Sequence, residues 1–363
     1  MKIVHIITND KFTNGYINFM KSFMKEYEHF YLVAGWSKTN TSIDESTLVD
    51  TNNVIRYGGV ELIYSSSILA LLKESDLIVI SGCFGFERMI YSWPQYLFKK
   101  VYFHLWGGDF YQVRNKISWG DTVGSFHRHQ LLKCFEWAKG LVFLIDGEYE
   151  AFKQITGLSK KNHFVAPMPE DIKNIFPYEE YRNYKVDEKV RIIVGNSATC
   201  TNNHEEAFSM LSHLKNEDIQ IICPLSYGDK NYAEHVEQIG ISLFGNKITF
   251  LKEMMTKFDY YKLLASCDVG VFNNDRQQAM GNIQTMLFLG KKVYMRTDIP
   301  SYKNFESLGF TLFDIFTLKA SSLEDILSFN ERDNNISKTD IEFHFHFDDA
   351  KKKWNKVFAS INK

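Results

Sequence analysis

The chain has 363 residues, 45% hydrophobic and 24% charged, enough for one large core or two ordinary ones, and a length about twice the usual domain favours two. Forty-two basic residues against 44 acidic give a formal net charge of -2, so no overall basic surface makes nucleic acid the main partner. The 30 Phe and 19 Tyr are spread along the chain, and no apolar run approaches the roughly 18 residues a membrane span needs, which leaves a soluble or peripheral protein.

The opening MKIVHIITND ends its short apolar run at Asn9 and Asp10. It lacks a signal peptide's apolar segment and cleavage site, which predicts a cytoplasmic protein. Residues 2 to 8 read as a buried strand and Asn9 to Gly15 as a polar loop. YINFMKSFMKEY reads as a helix, because Ile17, Phe19, Met20, Phe23 and Met24 recur at helical spacing. Strands follow at 30 to 36 and 54 to 59, then a helix over LIYSSSILALLKESD and the continuous apolar run LIVISG at 77 to 82. RMIYSWPQYLF is a helix interrupted at Pro94, and KKVYFHLWGGDFY is a strand running into Gly107, Gly108 and Asp109. Phe126 to Ala138 form a helix and GLVFLIDGE another strand. Continuous apolar strands alternating with helices predict a parallel sheet covered on both faces. The five cysteines are odd in number and share no C-x-x-C spacing, so they read as reduced, mostly buried thiols.

Between Val165 and Val190 the pattern changes. Three of the six prolines, Pro167, Pro169 and Pro177, fall here amid dense charge, the signature of a linker. The β-α alternation restarts at Arg191 and runs through IQIICP, KITFL, DYYKLLASCD, VGVFN, a helix from Ile283 to Leu289, KKVYM, FTLFD and SSLEDILSF. In the tail, Ala350, Trp354, Val357, Phe358 and Ile361 share one stripe of an amphipathic helix. The expected division is a Rossmann-like domain at 1–168, a linker at 169–189, a second Rossmann-like domain at 190–340, and at 341–363 a helix packing back toward the first domain. Two open α/β domains, a proline-rich hinge and a returning helix predict a cleft between the domains.

The strand VRIIVG opens into Gly195, Asn196 and Ser197 before a helix, and IQIICP opens likewise into LSYGDKNYAEHV. Strand-to-helix turns of this kind bind anions through backbone N–H groups and the helix amino terminus. Arg276 supplies a fork-shaped cation, and Gly281 lets backbone approach a ligand closely. Asn196, Ser197, Gln277, Gln278 and Asn282 are uncharged hydrogen-bonding residues suited to sugar and phosphate. No D-x-D pair stands at a strand end, so no metal is expected and no cofactor beyond the substrate. His344 and His346 alternate in EFHFHF, but two histidines without a third ligand read as structural.

YYKLLASCDVGVFNND followed by RQQAMGNIQTMLFLGKKVYM resembles the donor-binding segment of glycosyltransferases with the two-Rossmann GT-B fold. A closer resemblance is to glycosyltransferase family 56, the transferases that move Fuc4NAc, a dideoxy amino sugar, from a TDP donor in enterobacterial common antigen synthesis. HLWGGDFY at 104 to 111 is similar to that family's H-x-W-G-x-D-x-Y, IIVGNS at 192 to 197 to its I-L-V-G-N-S, and Asn202 to Glu205 to the S-N-x-H after it. CPLSYGDKNYAEHV resembles P-x-x-Y-x-x-x-N-x-x-Y, and RQQAMGN at 276 to 282 resembles R-Q-Q-x-x-G. These segments span most of the chain in the same order.

The resemblance implies a GT-B glycosyltransferase, with the acceptor in the first domain and the nucleotide sugar in the second. It implies a TDP-sugar donor, a lipid-linked saccharide acceptor, and peripheral association with the cytoplasmic face of the inner membrane. Donor contacts fall on Gly195, Asn196, Ser197, His204, Tyr227, Tyr232, Arg276, Gln277, Gln278, Gly281 and Asn282. Tyr227 and Tyr232 either meet the base or phosphate or simply pack, and Glu253 is either a donor contact or a helix-start charge. Many GT-B donor helices carry a ribose-bridging Glu about five residues before the final glycine; counting back from Gly290 gives Thr285, consistent with a deoxyribose, although UDP enzymes can hold ribose in other ways.

On the acceptor side stand Asn14, Gly15, Trp106 and Gly108. Asp109 either orients or deprotonates the acceptor hydroxyl or caps a helix. His104 is the second candidate base, or is packed within its strand. From Arg114 to Lys139, basic residues (Arg114, Lys116, Arg128, Lys133) interleave with apolar ones (Ile117, Trp119, Phe126, Leu131, Leu132, Trp137), compatible with docking at an anionic membrane or with an ordinary solvated helix face. The competing readings are a UDP-sugar donor with a different acceptor, and a non-catalytic nucleotide-sugar-binding scaffold.

Overall fold

The computed structural model describes residues 1–10, 12–35, 45–58, 60–83, 85, 87–114, 124–168, 176–328 and 347–362. Of the residues singled out above, Trp36, Gly59, Lys116, Ile117, Trp119, Pro169, His344 and His346 lie outside them. The chain divides into two compact units: Met1–Asp171 with Phe343–Lys363, and Ile172–Glu342.

In unit 1, strands β1 (Lys2–Thr8), β2 (Glu28–Gly35), β3 (Val54–Gly58), β4 (Leu77–Ser81), β5 (Val101–Leu105), β6 (Gly140–Phe143) and β7 (His163–Val165) form one parallel sheet. Their order is β3-β2-β1-β4-β5-β6-β7. Every residue of β4, β5 and β6 is buried, which is why these strands are unbroken apolar runs rather than alternating ones. The order reverses between β1 and β4, and in open α/β sheets ligands bind outside the carboxyl ends at such a switch point.

Both faces of this sheet are covered. One carries Ile78, Ile80, Phe103, Leu131, Phe135 and Phe152. The other carries Ile3, Tyr16, Phe19, Tyr102 and the carboxyl-terminal helix Phe347–Ala359, through Ala350, Trp354, Val357 and Phe358. Trp354 is fully buried, and its Nε1 donates to the Pro167 carbonyl at 3.1 Å.

One expected helix of unit 1 is broken at a serine, and another is interrupted at Pro94 as its proline implies. LIYSSSILALLKESD is two helices, Glu61–Tyr64 and Ser66–Glu74, because Ser65 takes an extended conformation and its hydroxyl caps Ile68 N–H. A serine that competes with the helical backbone in this way ends one helix and starts the next. On either side of Pro94 the segment RMIYSWPQYLF splits into Glu87–Ile90 and Gln95–Phe98.

In unit 2, β8 (Val190–Val194), β9 (Ile219–Pro224), β10 (Ile248–Leu251), β11 (Val269–Phe272), β12 (Lys292–Met295) and β13 (Phe313–Asp314) form a second parallel sheet. Its order is β10-β9-β8-β11-β12-β13, with the switch point between β8 and β11. Part of the segment expected as linker is packed. Phe176 is 1% exposed and its ring meets Phe258 at 5.4 Å and Tyr261 at 5.9 Å, while Tyr178 lies edge-on to Phe288. Prolines and charges end regular structure there, but the interleaved aromatics anchor the chain to unit 2.

Candidate functional site

At the unit 2 switch point the chain leaves β8 at Gly195, whose φ of +71° favours a residue without Cβ. A Cβ there would also lie 2.5 Å from His204 Nε2. Asn202 ties the loop that follows. Its Oδ1 accepts from Asn196 N–H and from Asn274 Nδ2, each at 3.0 Å, and its Nδ2 donates to Thr199 Oγ1 at 2.8 Å and the Ser197 carbonyl at 3.1 Å. The loop after β11 joins this knot through Gln278. Its Nε2 reaches Thr199 Oγ1 at 2.8 Å and both Asn196 Oδ1 and Ser197 Oγ at 3.2 Å, while Oε1 accepts from Thr201 at 2.6 Å.

The loop after β9 forms a third side. Ala198 N–H donates to the Tyr227 carbonyl at 2.7 Å. Gly228, at φ +120°, sits so close to Ala198 that a Cβ would lie 2.3 Å from its carbonyl oxygen. Asn196 Nδ2 donates to the Tyr227 hydroxyl at 2.8 Å, leaving the Tyr227 side chain 44% exposed. Three strand ends are thus fastened by neutral amides and hydroxyls, which fix the backbone without placing a charge in the wall.

The cation stands beside that wall. Arg276 is partly buried, donates Nη1 to the Gln277 carbonyl at 3.3 Å, and takes part in no ion pair among the described residues. The helix Met280–Phe288 begins four residues on, after Ala279 in the left-handed region at φ 58°, and no side chain caps it. A helix amino terminus left in this state presents first-turn N–H groups and the positive end of its dipole. Space beside Gly281 is open, since a Cβ there would meet nothing within 4 Å. Asn282 is oriented by its Nδ2 donating to the Tyr260 hydroxyl at 2.7 Å.

In unit 1, the carboxyl ends of β1, β4 and β5 converge. Thr8 Oγ1 donates to the Gly82 carbonyl at 2.6 Å, and Phe12 meets Trp106 edge to face at 6.0 Å. Asp109 is fully buried. Its Oδ2 accepts from Trp106 N–H at 3.0 Å and Cys83 N–H at 3.4 Å, and its Oδ1 has no hydrogen-bond partner among the described residues. Burial pushes this carboxyl up to about 6 against the pull of those N–H groups. Close by, the equally buried Glu87 accepts from Gly85 N–H at 2.9 Å and Cys83 Sγ at 3.4 Å, and is paired through Oε1 with His127 Nε2.

A family model described as 4-alpha-L-fucosyltransferase glycosyl transferase group 56 matches residues 95–362. The chain belongs to this glycosyltransferase family. Solved structures agree at the level of fold. A glycosyltransferase from Rickettsia africae is similar at 12% identity and TM-score 0.64, over 100% of this chain and 98% of that one. The Anabaena protein HepE, in complex with UDP and glucose, aligns at 13% identity and TM-score 0.65 over 99% and 100%. Sucrose-phosphate synthase from Thermosynechococcus elongatus aligns at 9% identity and TM-score 0.69 over 99% of each chain. The fold is GT-B.

In this glycosyltransferase, Gly195, Asn196, Ser197, Tyr227, Gln278 and the Arg276–Asn282 segment come together as one site. Gln277 is buried beside them. His204 and Tyr232 lie beneath the wall, joined by a 3.1 Å bond between Nδ1 and the hydroxyl; burial pushes His204 down to about 3, so it is a neutral support. Thr285 is 1% exposed, buried inside unit 2. Glu253 is exposed just past β10.

His104 is fully buried. Its Nε2 faces the Ala166 carbonyl at 3.1 Å and its Nδ1 the Ser81 hydroxyl at 2.9 Å. The carbonyl accepts only, so Nε2 carries the proton and Nδ1 accepts from Ser81. With both nitrogens engaged and burial pushing it down to about 3, this ring packs against Trp354, 4.9 Å away. Asn14 donates Nδ2 to Thr47 Oγ1 at 2.6 Å, and Gly15 follows it, exposed, in the helix Thr13–Phe23. Gly108 starts the short helix Gly108–Tyr111 beside Trp106. Sequence reading missed the Glu87–His127 pair. The two lie 40 residues apart, and no local pattern joins them until the sheet forms.

Proposed function

We propose that this glycosyltransferase transfers a dideoxy amino sugar of the Fuc4NAc type from a TDP donor held by unit 2 to a lipid-linked saccharide held by unit 1. One observation carries the donor half. Among the described residues, a cation without an ion-pair partner, a helix amino terminus without a side-chain cap and a neutral hydrogen-bonding wall meet at the unit 2 switch point. A departing nucleoside diphosphate needs donors preorganised where its charge develops, and Arg276 with the N–H groups of Gly281 and Asn282 provides them. On this reading no divalent cation is required. The helix Met280–Phe288 contains no acidic residue, so nothing on it is suited to bridge a pair of ribose hydroxyls, which favours a deoxyribose nucleotide.

A lipid-linked acceptor is supported by the unit 1 helix Ser125–Trp137. It opens with Phe126, 70% exposed, and Arg128, an apolar and cationic pair suited to an anionic interface. Among the described residues no helix is long and apolar enough to cross a membrane, so the association proposed is peripheral, at the cytoplasmic face. A UDP-sugar donor is the second reading, favoured by the UDP bound to the Anabaena neighbour.

The test measures nucleoside diphosphate release and glycolipid product from TDP- and UDP-sugars, with lipid-linked saccharide in vesicles, with and without EDTA. The reading expects product from the TDP donor, unaffected by EDTA. Turnover with UDP donors alone overturns the donor assignment, and loss of activity in EDTA overturns metal independence.

A further inference from the structure

We propose that His127, oriented by Glu87, is the base that takes the proton from the acceptor hydroxyl. The inference rests on the assignment of the acceptor to unit 1. A base must expose an atom to substrate. Asp109 and His104 do not: both are fully buried, with Asp109 Oδ2 held by two backbone N–H groups and both His104 nitrogens engaged. The His127 side chain is 12% exposed, against a fully buried Glu87.

The bonding fixes the tautomer. Arg88 Nη2 lies 3.1 Å from His127 Nδ1, and a guanidinium only donates. Nδ1 therefore carries the lone pair, and Nε2–H donates to Glu87. A carboxylate behind the imidazole and a lone pair on its outer nitrogen are the two features a histidine base requires. Among the described residues the outer nitrogen's partner is the side chain of exposed Arg88, which an acceptor can displace or recruit for its own negative charge. Glu87 and Asp109 both meet Cys83, so the pair stands at the carboxyl end of β4, one edge of the unit 1 switch point.

The step balances. The acceptor oxygen bonds to the donor's anomeric carbon, and the bond from that carbon to the diphosphate oxygen breaks. The nucleoside diphosphate leaves with the electron pair. The hydroxyl proton passes to His127 Nδ1, giving an imidazolium beside the Glu87 carboxylate, which remains unprotonated. Besides Arg88 and Glu87, whose carboxyl is raised by burial but held ionised by the new imidazolium, the titratable groups around the pair among the described residues are Cys83, Asp109 and Cys134; Cys83 and Cys134 are buried thiols pushed up by desolvation and by Glu87, and stay neutral. Desolvation and then Arg88 hold His127 below the usual imidazole range, so it is free to accept a proton at neutral pH.

The experiment compares pH profiles of kcat for the unaltered protein, H127Q and E87Q, with TDP binding measured alongside by thermal shift. The expected result for H127Q is a loss of about 10²- to 10⁴-fold in kcat with TDP affinity unchanged. In E87Q an amide replaces the acceptor of Nε2–H and favours the wrong tautomer, so kcat falls at least about tenfold and the acid limb of the profile moves. Because H127Q can fail to fold, ¹⁵N resonances of His127 in the unaltered protein provide a second reading: Nε2 protonated at pH 7, titrating at the pH of the acid limb. H127Q keeping kcat within about threefold, or a His127 titration away from that limb, overturns the assignment. Absence of turnover and of TDP binding in the unaltered protein instead overturns the functional reading on which it rests.

Discussion

On the proposed reading Arg276 carries the largest electrostatic burden toward the donor, because the wall beside it is neutral. A charge-assisted contact is worth about 1.5–3 kcal/mol, so R276A is expected to weaken TDP binding roughly 10- to 100-fold, measured by calorimetry. R276K recovers only part of it, since an ammonium cannot match the fork. Gly195 makes a different demand. Alanine there meets His204 Nε2 at 2.5 Å and a left-handed φ, and G195A is expected to cost about 1–3 kcal/mol in thermal unfolding and to weaken nucleotide binding by displacing Asn196. The turn at Gly195 and the polar loop around Arg276 were legible in the sequence because both are set by local chemistry: a glycine after a strand, a cation among polar residues. His204, Thr285 and His104 were less so. Their residue types suit catalysis or binding, but burial decides their role, and burial depends on which strands become neighbours.

At the scale of elements, the β-α alternation was legible wherever a buried parallel strand needs a continuous apolar run; the three-residue edge strand β7, nowhere fully buried, offered none. The interruption at Pro94 was legible from the proline's ring and missing N–H; the break at Ser65 was not, since a single hydroxyl outweighed a good helical period. The carboxyl-terminal helix was legible from one stripe of apolar residues. It closes a face of unit 1, where Tyr102 hydroxyl meets Ser360 Oγ at 2.8 Å and Trp354 fills the core. W354A is expected to destabilise unit 1 by about 3–5 kcal/mol, with little change in TDP binding by unit 2. Calorimetric unfolding with and without TDP checks this, and equal loss of nucleotide binding would contradict a local role for the helix.

Across the whole molecule, buried histidines set the response to acid. His5, His29, His104 and His204 are all held below the usual imidazole value, with desolvation the largest cause in each. Below about pH 6.5 the unfolded chain binds protons that these folded sites refuse, so stability falls as pH drops, by up to about 1.4 kcal/mol per pH unit for each histidine. Asp109 acts oppositely: with its carboxyl raised to about 6, the folded form holds the extra proton between about pH 4 and 6. Burial raises Glu87 as well, and these two carboxyls offset only part of the effect of the three unit 1 histidines. Unit 1 holds His5, His29 and His104 while unit 2 holds His204, so melting curves at pH 7 and pH 5.5 are expected to show unit 1 losing more.

The central claim is that unit 2 holds the donor's diphosphate between the Gly195 wall and the Arg276 loop. A crystal structure with TDP bound tests it most directly. The account predicts diphosphate oxygens within hydrogen-bonding distance of the Arg276 guanidinium and of the N–H of Gly281 or Asn282, with the Gly195–Ser197 turn lining the same nucleotide. A diphosphate seated elsewhere, with Arg276 and the first turn of Met280–Phe288 left untouched, would contradict it.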